Sequence, residues 1–422
     1  MSLAIMGLAI AVLLFLRVPV GYAILGPCLA YLWLTDQSLG MSLRLAAQGV
    51  NSWPLLAIPL FVLVGVTANR AGIADRLFDF ALALLGRVRG SLGYVNIGVS
   101  VGFSWMSGSA LADAAGLGAV EVPAMRKQGY PRNFSVGLSA ASSVIAPIMP
   151  PSIPAIVYAS VATVSVGALF AASVVPAFLL AAALALVVFL WARKRDELRT
   201  ERFSWPKVVR TFLHAAAAML TPVVIIGGIL GGLFTPTEAA AVGALYMIVL
   251  GFVYRKVRVR DLVGIFRDTV MTSGSITIIL AASALLGWIL AREQVPQTVA
   301  EAMLSFTDNK VVFLLLVNVI LLLLGMIIEP TSALVLSVPI LLPVAVQFGV
   351  DPVHFGVIVV LNLMIGLLTP PVGGICYVMS SVTGTPVTEV FRGVMPFLVP
   401  LLAVLLLVTF VPELVMWLPG VL

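Results

Sequence analysis

The sequence predicts an all-α polytopic membrane protein built from two homologous halves. Of its 422 residues, 61% are hydrophobic and 10% are charged, whereas soluble domains contain about 25% charged residues. Apolar runs of about 20 residues, long enough to cross the core of a bilayer, recur along the chain. The proline pair Pro150–Pro151 is followed 220 positions later by the pair Pro370–Pro371, again within an apolar segment.

Further matches support an internal repeat. At the same offset of 220, identical residues recur in corresponding segments: Pro123 with Pro343, Gly129 with Gly349, Ser160 with Ser380, and Pro176 with Pro396. The segment RVPVGYAILG, which begins at Arg17, also resembles FTPTEAAAVG, which begins at Phe234. We therefore predict a first repeat at 1–192 and a second at 213–422, joined by a charged cytoplasmic linker at 193–212.

The predicted elements follow the same order in both repeats. In the first we expect spans near 2–16, 20–34 and 54–69, a hairpin near 91–125, a broken helix near 132–158 and a span near 168–192. In the second we expect spans near 213–233, 237–254 and 273–291, a hairpin near 311–346, a broken helix near 353–380 and a span near 396–416. If both hairpins re-enter, each repeat crosses the membrane an odd number of times. The second repeat is then inverted relative to the first, a construction that recurs in secondary transporters. Two amphipathic segments, 72–90 and 296–310, precede the hairpins and are expected to lie flat as connecting arms.

The distribution of basic residues sets the predicted orientation. They are concentrated at 70–89, 126–132, 193–210 and 255–267, which the proposed spans place on one side of the membrane. By the positive-inside rule this side is the cytoplasm, so both termini are expected outside. Topology thus accounts for the basic excess, and no nucleic acid partner is expected. The first apolar stretch lacks a basic leader and is interpreted as a retained span rather than a signal peptide.

Polar residues and prolines are concentrated in the hairpin tips and in the breaks of the broken helices. The first tip is Ser107–Ser109 and faces the break Pro147–Ser152, and the second tip is Glu329–Ser332 and faces the break Thr369–Gly374. Irregular backbone at membrane depth is tolerated only where protein or a water-filled cavity satisfies it. Freed carbonyls and nearby hydroxyls are hard oxygen ligands suited to Na⁺, and we expect one cation site at each tip with an organic anion bound between them. The predicted cation ligands are Ser107, Gly108, Ser109, Pro147 and Pro150 in the first site, and Glu329, Pro330, Thr331, Ser332, Thr369, Pro370 and Gly373 in the second. The predicted substrate contacts are Ser109, Asp113, Ser142, Ser143, Ser152, Thr331, Ser332 and Gly374.

Several of these residues have alternative interpretations. Asp113 either caps the second arm of the first hairpin or helps to hold the cation. Glu329 either orders the second tip or modulates ion binding. For Glu238, which follows Thr235 and Pro236, capping of a helix start is favoured over proton relay. Taken one at a time, the proline-rich segments also fit ordinary kinked helices.

The sequence provides no sign of a resident cofactor. The two histidines, His214 and His354, have no partners at the spacing of metal ligands, and Cys28 and Cys376 lie far apart in apolar runs. We therefore expect Na⁺ as the coupling ion, no transition metal and no organic cofactor.

Four segments resemble the large membrane subunit of tripartite ATP-independent periplasmic (TRAP) transporters: SGSALADAAGLGAVEVPAM, IMPPSIPAIVYA, FTPTEAAAVGA and GVDPVHFGVIVVLNLMIGLLTPPVG. The resemblance covers essentially the full length. It implies an elevator-type carrier in a bacterial inner membrane, with Na⁺-driven uptake of an organic acid delivered by a periplasmic binding protein. It also implies a small four-helix membrane subunit, expected here as a separate chain. The sequence has Glu329 where the family pattern leads us to expect aspartate.

Three other functions compete with this interpretation. A stand-alone cation-coupled carboxylate carrier would share the repeat and both hairpins but need no binding protein. An intramembrane enzyme is disfavoured because the sequence contains no HExxH and neither histidine has partners at the spacing of metal ligands, and we predict no enzymatic activity. A passive channel is disfavoured because two closed hairpins imply an occluded substrate rather than a continuous pore.

Overall fold

The computed structural model describes residues 3–16, 18–193, 195 and 203–421. Within these residues the regular structure is helical throughout, with twenty α-helices and two short 3₁₀ turns. Eight of the described helices are long and apolar enough to cross a membrane. The predicted all-α polytopic class is therefore confirmed. Of the predicted linker, residues 194 and 196–202 lie outside the described residues.

The first repeat contains ten helices among the described residues. They are α1 (Leu3–Phe15), α2 (Val20–Leu34), α3 (Leu39–Val50), α4 (Ala57–Arg70), α5 (Ile73–Leu85), α6 (Ser91–Ser107), α7 (Ala110–Lys127), α8 (Arg132–Ser142), α9 (Ile153–Ala162) and α10 (Val166–Ala192). The 3₁₀ turns lie at Trp53–Leu56 and Ser143–Ile145.

The second repeat contains the remaining ten helices. They are α11 (Trp205–Leu230), α12 (Pro236–Val253), α13 (Val259–Arg292), α14 (Val295–Phe306), α15 (Lys310–Ile327), α16 (Pro330–Gln347), α17 (Pro352–Gly366), α18 (Gly374–Thr383), α19 (Val387–Phe410) and α20 (Pro412–Met416).

Helices of the two repeats correspond one to one over most of their length. Helix α16 begins and ends 220 positions after α7, which is the offset between the two proline pairs. In four other pairs, the first residues of the two helices are separated by this offset to within one position: α6 and α15, α8 and α17, α9 and α18, and α10 and α19. The amphipathic segments form α5 and α14. Each of them contacts a hairpin arm (α6 or α16) and a helix outside the hairpins (α11 or α13), as connecting arms would.

Three helices, α3, α11 and α13, occupy, wholly or in part, segments in which we predicted no span. Helix α3 lies before the third predicted span. It packs on α13 so closely that a Cβ on Gly49 would lie 2.2 Å from the Cβ of Ala284. Helix α13 begins at Val259, because the Asp261 carboxylate accepts from the Arg258 amide at 2.8 Å and caps the first turn. Helix α11 begins at Trp205, inside the predicted linker. The charged residues of such segments lie on solvated helix faces, which a search for apolar runs does not detect.

The helices form two bundles. The flanking bundle contains α1–α4 and α11–α13, and the hairpin bundle contains α6–α10 and α15–α20. In the hairpin bundle each repeat packs on the other: α7 on α18, α16 on α9, α8 on α19 and α10 on α17. Small residues allow the closest of these contacts, since a Cβ on Gly137 of α8 would lie 2.0 Å from the Gly393 carbonyl oxygen of α19.

Candidate functional site

A cavity of about 520 Å³ lies where both hairpin tips meet the flanking bundle. Its polar lining from the tips is Ser107, Ser109, Glu329, Thr331 and Ser332, and from the flanking bundle Asn69, Thr272 and Ser275. Pro147 of the first broken helix also lines it. The cavity is therefore shared between the two bundles, and both predicted tips contribute to it.

The first tip is a tight reversal against the first broken helix. Gly108 has φ +58°, in the left-handed region that favours glycine, and a Cβ there would lie 2.8 Å from the Pro151 carbonyl oxygen. The next residue, Ser109, caps α7 by accepting from the Ala112 amide at 3.4 Å. Glycine is thus required both by the turn and by the close approach of the broken helix.

A buried carboxylate lies directly behind the first tip. Asp113 is fully buried, and its Oδ1 accepts a hydrogen bond from the Ser107 hydroxyl. Its Oδ2 has no hydrogen-bond partner among the described residues. Because the Ser107 proton points toward Asp113 and the Ser107 oxygen accepts one hydrogen bond, from the Ser109 amide at 3.5 Å, one lone pair of that oxygen is available to a ligand. Asp113 thus lies behind the tip rather than in the cavity lining.

The second tip is ordered by its own acid. Glu329 caps α16, and its Oε2 accepts from the Ser332 amide at 3.1 Å and from the Ser332 hydroxyl at 3.2 Å. The Thr331 hydroxyl donates to Oε1 at 2.9 Å. Glu329 is exposed toward the cavity, whereas Thr331 and Ser332 are buried. The structure therefore assigns Glu329 the tip-ordering role that sequence reasoning left open.

The two broken helices differ in their exposure. In the first, the non-helical stretch 146–152 is buried throughout, and Ser152 both donates to the Pro147 carbonyl and caps α9. In the second, Pro370 is exposed, and the Thr369 hydroxyl donates to the Ile365 carbonyl at 2.9 Å. The Pro150–Pro151 and Pro370–Pro371 peptide bonds are both cis. The repeats therefore share their backbone path but not their surroundings.

The second tip meets its broken helix through glycines that the sequence reasoning did not single out. A Cβ on Gly366 would lie 2.7 Å from the backbone of Gly325, so α15 and α17 touch at their main chains. The Val372 amide also donates to the Met326 carbonyl at 3.3 Å. The sequence signal was present, because both glycines lie at the ends of apolar runs next to a predicted break.

Not all predicted site residues come together. Eight of them line the cavity: Ser107, Gly108, Ser109, Pro147, Glu329, Pro330, Thr331 and Ser332. The others that we predicted, Asp113, Ser142, Ser143, Pro150, Ser152, Thr369, Pro370, Gly373 and Gly374, are not part of that lining. For Ser142 and Ser143 the reason is helical geometry, since both hydroxyls point into the bundle, toward Asn96 and the Ala140 carbonyl respectively. For Gly374 the reason is packing against Leu367 and Leu111.

The flanking bundle contributes polar groups that sequence reasoning missed. Thr272 and Ser275 belong to the run MTSGS in the middle of α13, and Asn69 lies near the end of α4. Hydroxyls within an otherwise apolar helix were the available signal. This signal does not by itself show that α13 approaches the hairpin tips, which are distant in the sequence.

The electrostatics of the cavity come mainly from backbone and hydroxyl groups. Among the described residues that line it, none is Lys, Arg or His, and Glu329 is the single ionisable side chain. The N-termini of α7 and α16 both lie at its edge, where helix dipoles favour negative charge. Hydroxyl oxygens and the Glu329 carboxylate favour a cation beside it.

Comparison with known proteins identifies the family. The family model described as "Tripartite ATP-independent periplasmic transporter, DctM component" matches residues 8–414. The chain belongs to this family. The resemblance noted from the sequence is therefore confirmed, and the chain is a TRAP transporter large permease with many passes through a membrane.

Relatives with transporter names match nearly the whole chain. It is 45% identical over 412 residues to the sialic acid TRAP transporter large permease protein SiaM of Vibrio cholerae, covering 96% of each chain. It is 36% identical over 437 residues to the C4-dicarboxylate TRAP transporter large permease protein DctM of Rhodobacter capsulatus, covering 100% of this chain and 99% of that one. The relatives are thus named as transport permeases for more than one kind of acid.

A solved structure shares the fold of this DctM-family chain. The YdaH transporter of Alcanivorax borkumensis superposes with a TM-score of 0.61 over 86% of each chain, at 14% sequence identity. At this identity the likeness concerns the fold alone.

Proposed function

We propose that the protein carries out Na⁺-coupled secondary active uptake of an organic acid anion. The observation that carries this proposal is the shared cavity, at which each hairpin tip holds a hydroxyl that donates to a carboxylate: Ser107 to Asp113, and Thr331 to Glu329. A hydroxyl oriented in this way presents its oxygen to a cation, and a cation bound there stabilises the negative charge of the neighbouring carboxylate. An organic anion then binds between the tips without a lysine or arginine, held by hydroxyls, helix N-termini and the bound sodium.

The division into two bundles supports an elevator mechanism. The cavity lies at their boundary, and the arms α5 and α14 connect them. At this boundary α4 presents Gly65 to the first tip, so that a Cβ there would lie 3.1 Å from the Ser107 carbonyl oxygen. In our proposal the hairpin bundle slides along this smooth surface and takes the ions and the substrate with it.

The family leads us to propose two protein partners. A periplasmic binding protein delivers the acid, and a small four-helix membrane subunit, encoded as a separate chain, accompanies the permease in the bacterial inner membrane.

We propose that both termini face the periplasm, in agreement with the basic loops lying on the other side. Labelling of single cysteines placed near Ser38 and Lys207 tests this orientation, because the two positions should be reached from opposite sides. Ser38 belongs to the outer side and Lys207 to the cytoplasmic side.

Reconstituted uptake tests the function. The permease, the small subunit and the binding protein are incorporated in liposomes, and uptake of sialic acid, a C4-dicarboxylate and isethionate is measured with inward gradients of sodium or choline chloride. These acids are taken from the names of the relatives. Saturable uptake of one acid that requires both sodium and the binding protein supports the proposal.

Three results would contradict parts of it. Equal uptake in sodium and choline would exclude sodium coupling. Full uptake without the binding protein would favour the stand-alone carrier. Flux that does not saturate would favour a channel.

A further inference from the structure

A second buried acid lies in the hairpin bundle, away from the cavity. Glu121 of α7 is 1% exposed and two helical turns beyond Asp113, about 12 Å along the axis. None of its described hydrogen bonds involves a predicted cation ligand. Its Oε2 accepts from the Asn96 amide of α6 and, at 3.2 Å, from the Ser139 hydroxyl of α8.

Glu121 belongs to a closed polar network that joins three helices. The Asn96 amide also donates to the Ser139 hydroxyl at 2.5 Å, and the Ser142 hydroxyl donates to Asn96 Oδ1 at 2.9 Å. Ser100 completes the network by donating to Ser142 at 3.0 Å. All five residues are buried, so the network joins both arms of the first hairpin to the first broken helix away from water.

One oxygen of Glu121 remains without a partner. Both donors reach Oε2, and Oε1 has no hydrogen-bond partner among the described residues. An ionised carboxylate with a bare oxygen in apolar surroundings is far more costly than a neutral carboxylic acid. Because Oε2 already accepts two hydrogen bonds, the acidic proton belongs on Oε1.

In the second repeat, the counterparts of α6 and α8, which are α15 and α17, are joined without an acid. There the Asn362 amide donates to Asn318 at 2.7 Å, and the Asn318 amide donates to Thr409 at 3.2 Å. At the repeat offset, Asn362 is the counterpart of Ser142, whereas the counterpart of Glu121 is Leu341. A neutral amide bond therefore suffices to join the first hairpin arm to the broken helix in the second repeat, so this bond does not by itself require an acid in the first repeat.

Among the described residues, no basic side chain forms an ion pair with Glu121. The elements that pack on α7 are α6, α8, α18, α5 and the 3₁₀ turn at Ser143–Ile145. Their titratable or charged groups, together with those of α7 itself, are Tyr94 on α6, Arg132 on α8, Cys376 and Tyr377 on α18, Asp75, Arg76 and Asp79 on α5, and Asp113, Arg126 and Lys127 on α7. Arg132 is engaged elsewhere, donating to Thr385 at 2.9 Å and to the Gly384 carbonyl at 2.6 Å. The described hydrogen bonds of Glu121 come from neutral groups alone.

We propose that Glu121 is a proton-binding site of the hairpin bundle, occupied at neutral pH, whose loss of a proton loosens the first hairpin from the first broken helix. The step is the transfer of one proton between the Glu121 carboxyl and water. Ionisation leaves a charge that only hydration stabilises, and water reaches it when α7 separates from α6 and α8. The proposal does not rest on sodium-coupled uptake.

Infrared spectroscopy of the full chain in lipid nanodiscs tests the protonation state. The variants are Glu121→Gln, which keeps the shape and the neutral hydrogen bonds, and Glu121→Leu, which copies the second repeat. Asp113→Asn is the matched control, because it removes the other buried carboxyl of α7. We expect a protonated-carboxyl band at neutral pH whose Glu121 component is lost in both Glu121 variants and remains in the control. If either folded Glu121 variant keeps the full band, Glu121 is ionised and the proposal is wrong.

Thermal unfolding tests the consequence of ionisation. We expect the unfolding midpoint of the wild type to fall relative to that of Glu121→Gln as the pH is raised from neutral to alkaline. A gap that stays constant over this range would show that the carboxyl does not titrate and would overturn the proposal. Both measurements are made without sodium or substrate, so failure of the proposed transport function leaves their outcome unchanged.

Discussion

The Ser107 hydroxyl donates a hydrogen bond to the carboxylate of Asp113, which lies further along the same hairpin. At the second tip, Thr331 makes the corresponding bond to Glu329 at 2.9 Å. The two acids occupy different positions of the repeat, since the counterpart of Glu329 in the first repeat is Ser109 and not Asp113. At each tip, nevertheless, one carboxylate accepts a hydrogen bond from one hydroxyl and so orients it.

Asp113→Asn tests the role of the buried carboxylate at the first tip. A hydrogen bond to a charged group contributes about 1.5–3 kcal/mol, so the sodium concentration for half-maximal uptake should rise roughly tenfold or more. The measurement is a sodium titration of uptake in proteoliposomes at fixed substrate concentration. An unchanged half-saturating concentration would mean that Asp113 is only structural.

Two substitutions of Glu329 separate capping from charge at the second tip. Glu329→Ala removes the cap of α16 and should reduce stability by about 1 kcal/mol, together with a weaker sodium dependence of uptake. Glu329→Asp keeps a good capping residue and a charge, and should retain the thermal stability of the wild type. Thermal unfolding and sodium titration of both variants check this. Equal loss of stability in the two would contradict the capping role.

Ser275→Ala tests whether the flanking bundle contacts the substrate. Loss of one neutral hydrogen bond of about 1 kcal/mol should raise the substrate concentration for half-maximal uptake roughly fivefold. Its sodium dependence should stay unchanged. The matched control is Thr277→Val on the same helix, because the Thr277 hydroxyl bonds to the Ser273 carbonyl at 2.9 Å and does not line the cavity. Equal effects of the two substitutions would argue against a direct contact.

Gly137→Ala tests the contact between the repeats. The new Cβ would lie 2.0 Å from the Gly393 carbonyl oxygen, so α8 and α19 must separate. Overpacking of this kind costs about 1–3 kcal/mol, and the unfolding midpoint should fall. Gly227→Ala on α11 is the control, because a Cβ there meets nothing within 4 Å and alanine favours a helix. A fall of the same size in both variants would contradict this explanation.

Proline and hydroxyl spacing predicted part of the cavity lining. The offset of 220 between the double prolines identified the breaks, and the polar triplet Ser107–Ser109 identified the first tip. These signals are local, because a proline or a polar group within an apolar run changes the helix in which it lies. Thr272 and Ser275 were missed because their importance depends on a distant hairpin that approaches α13.

The sequence by itself determined the membrane class, the repeat and the position of each interruption, because apolar length and proline act through the local backbone. Only the tertiary structure decided which polar groups share a space. It turned Ser142 toward Asn96 rather than the cavity and placed Asp113 behind Ser107. It also enclosed Glu121 within three helices. The physical reason is that helix rotation and the packing between repeats direct each side chain, and these depend on contacts between residues far apart in the chain.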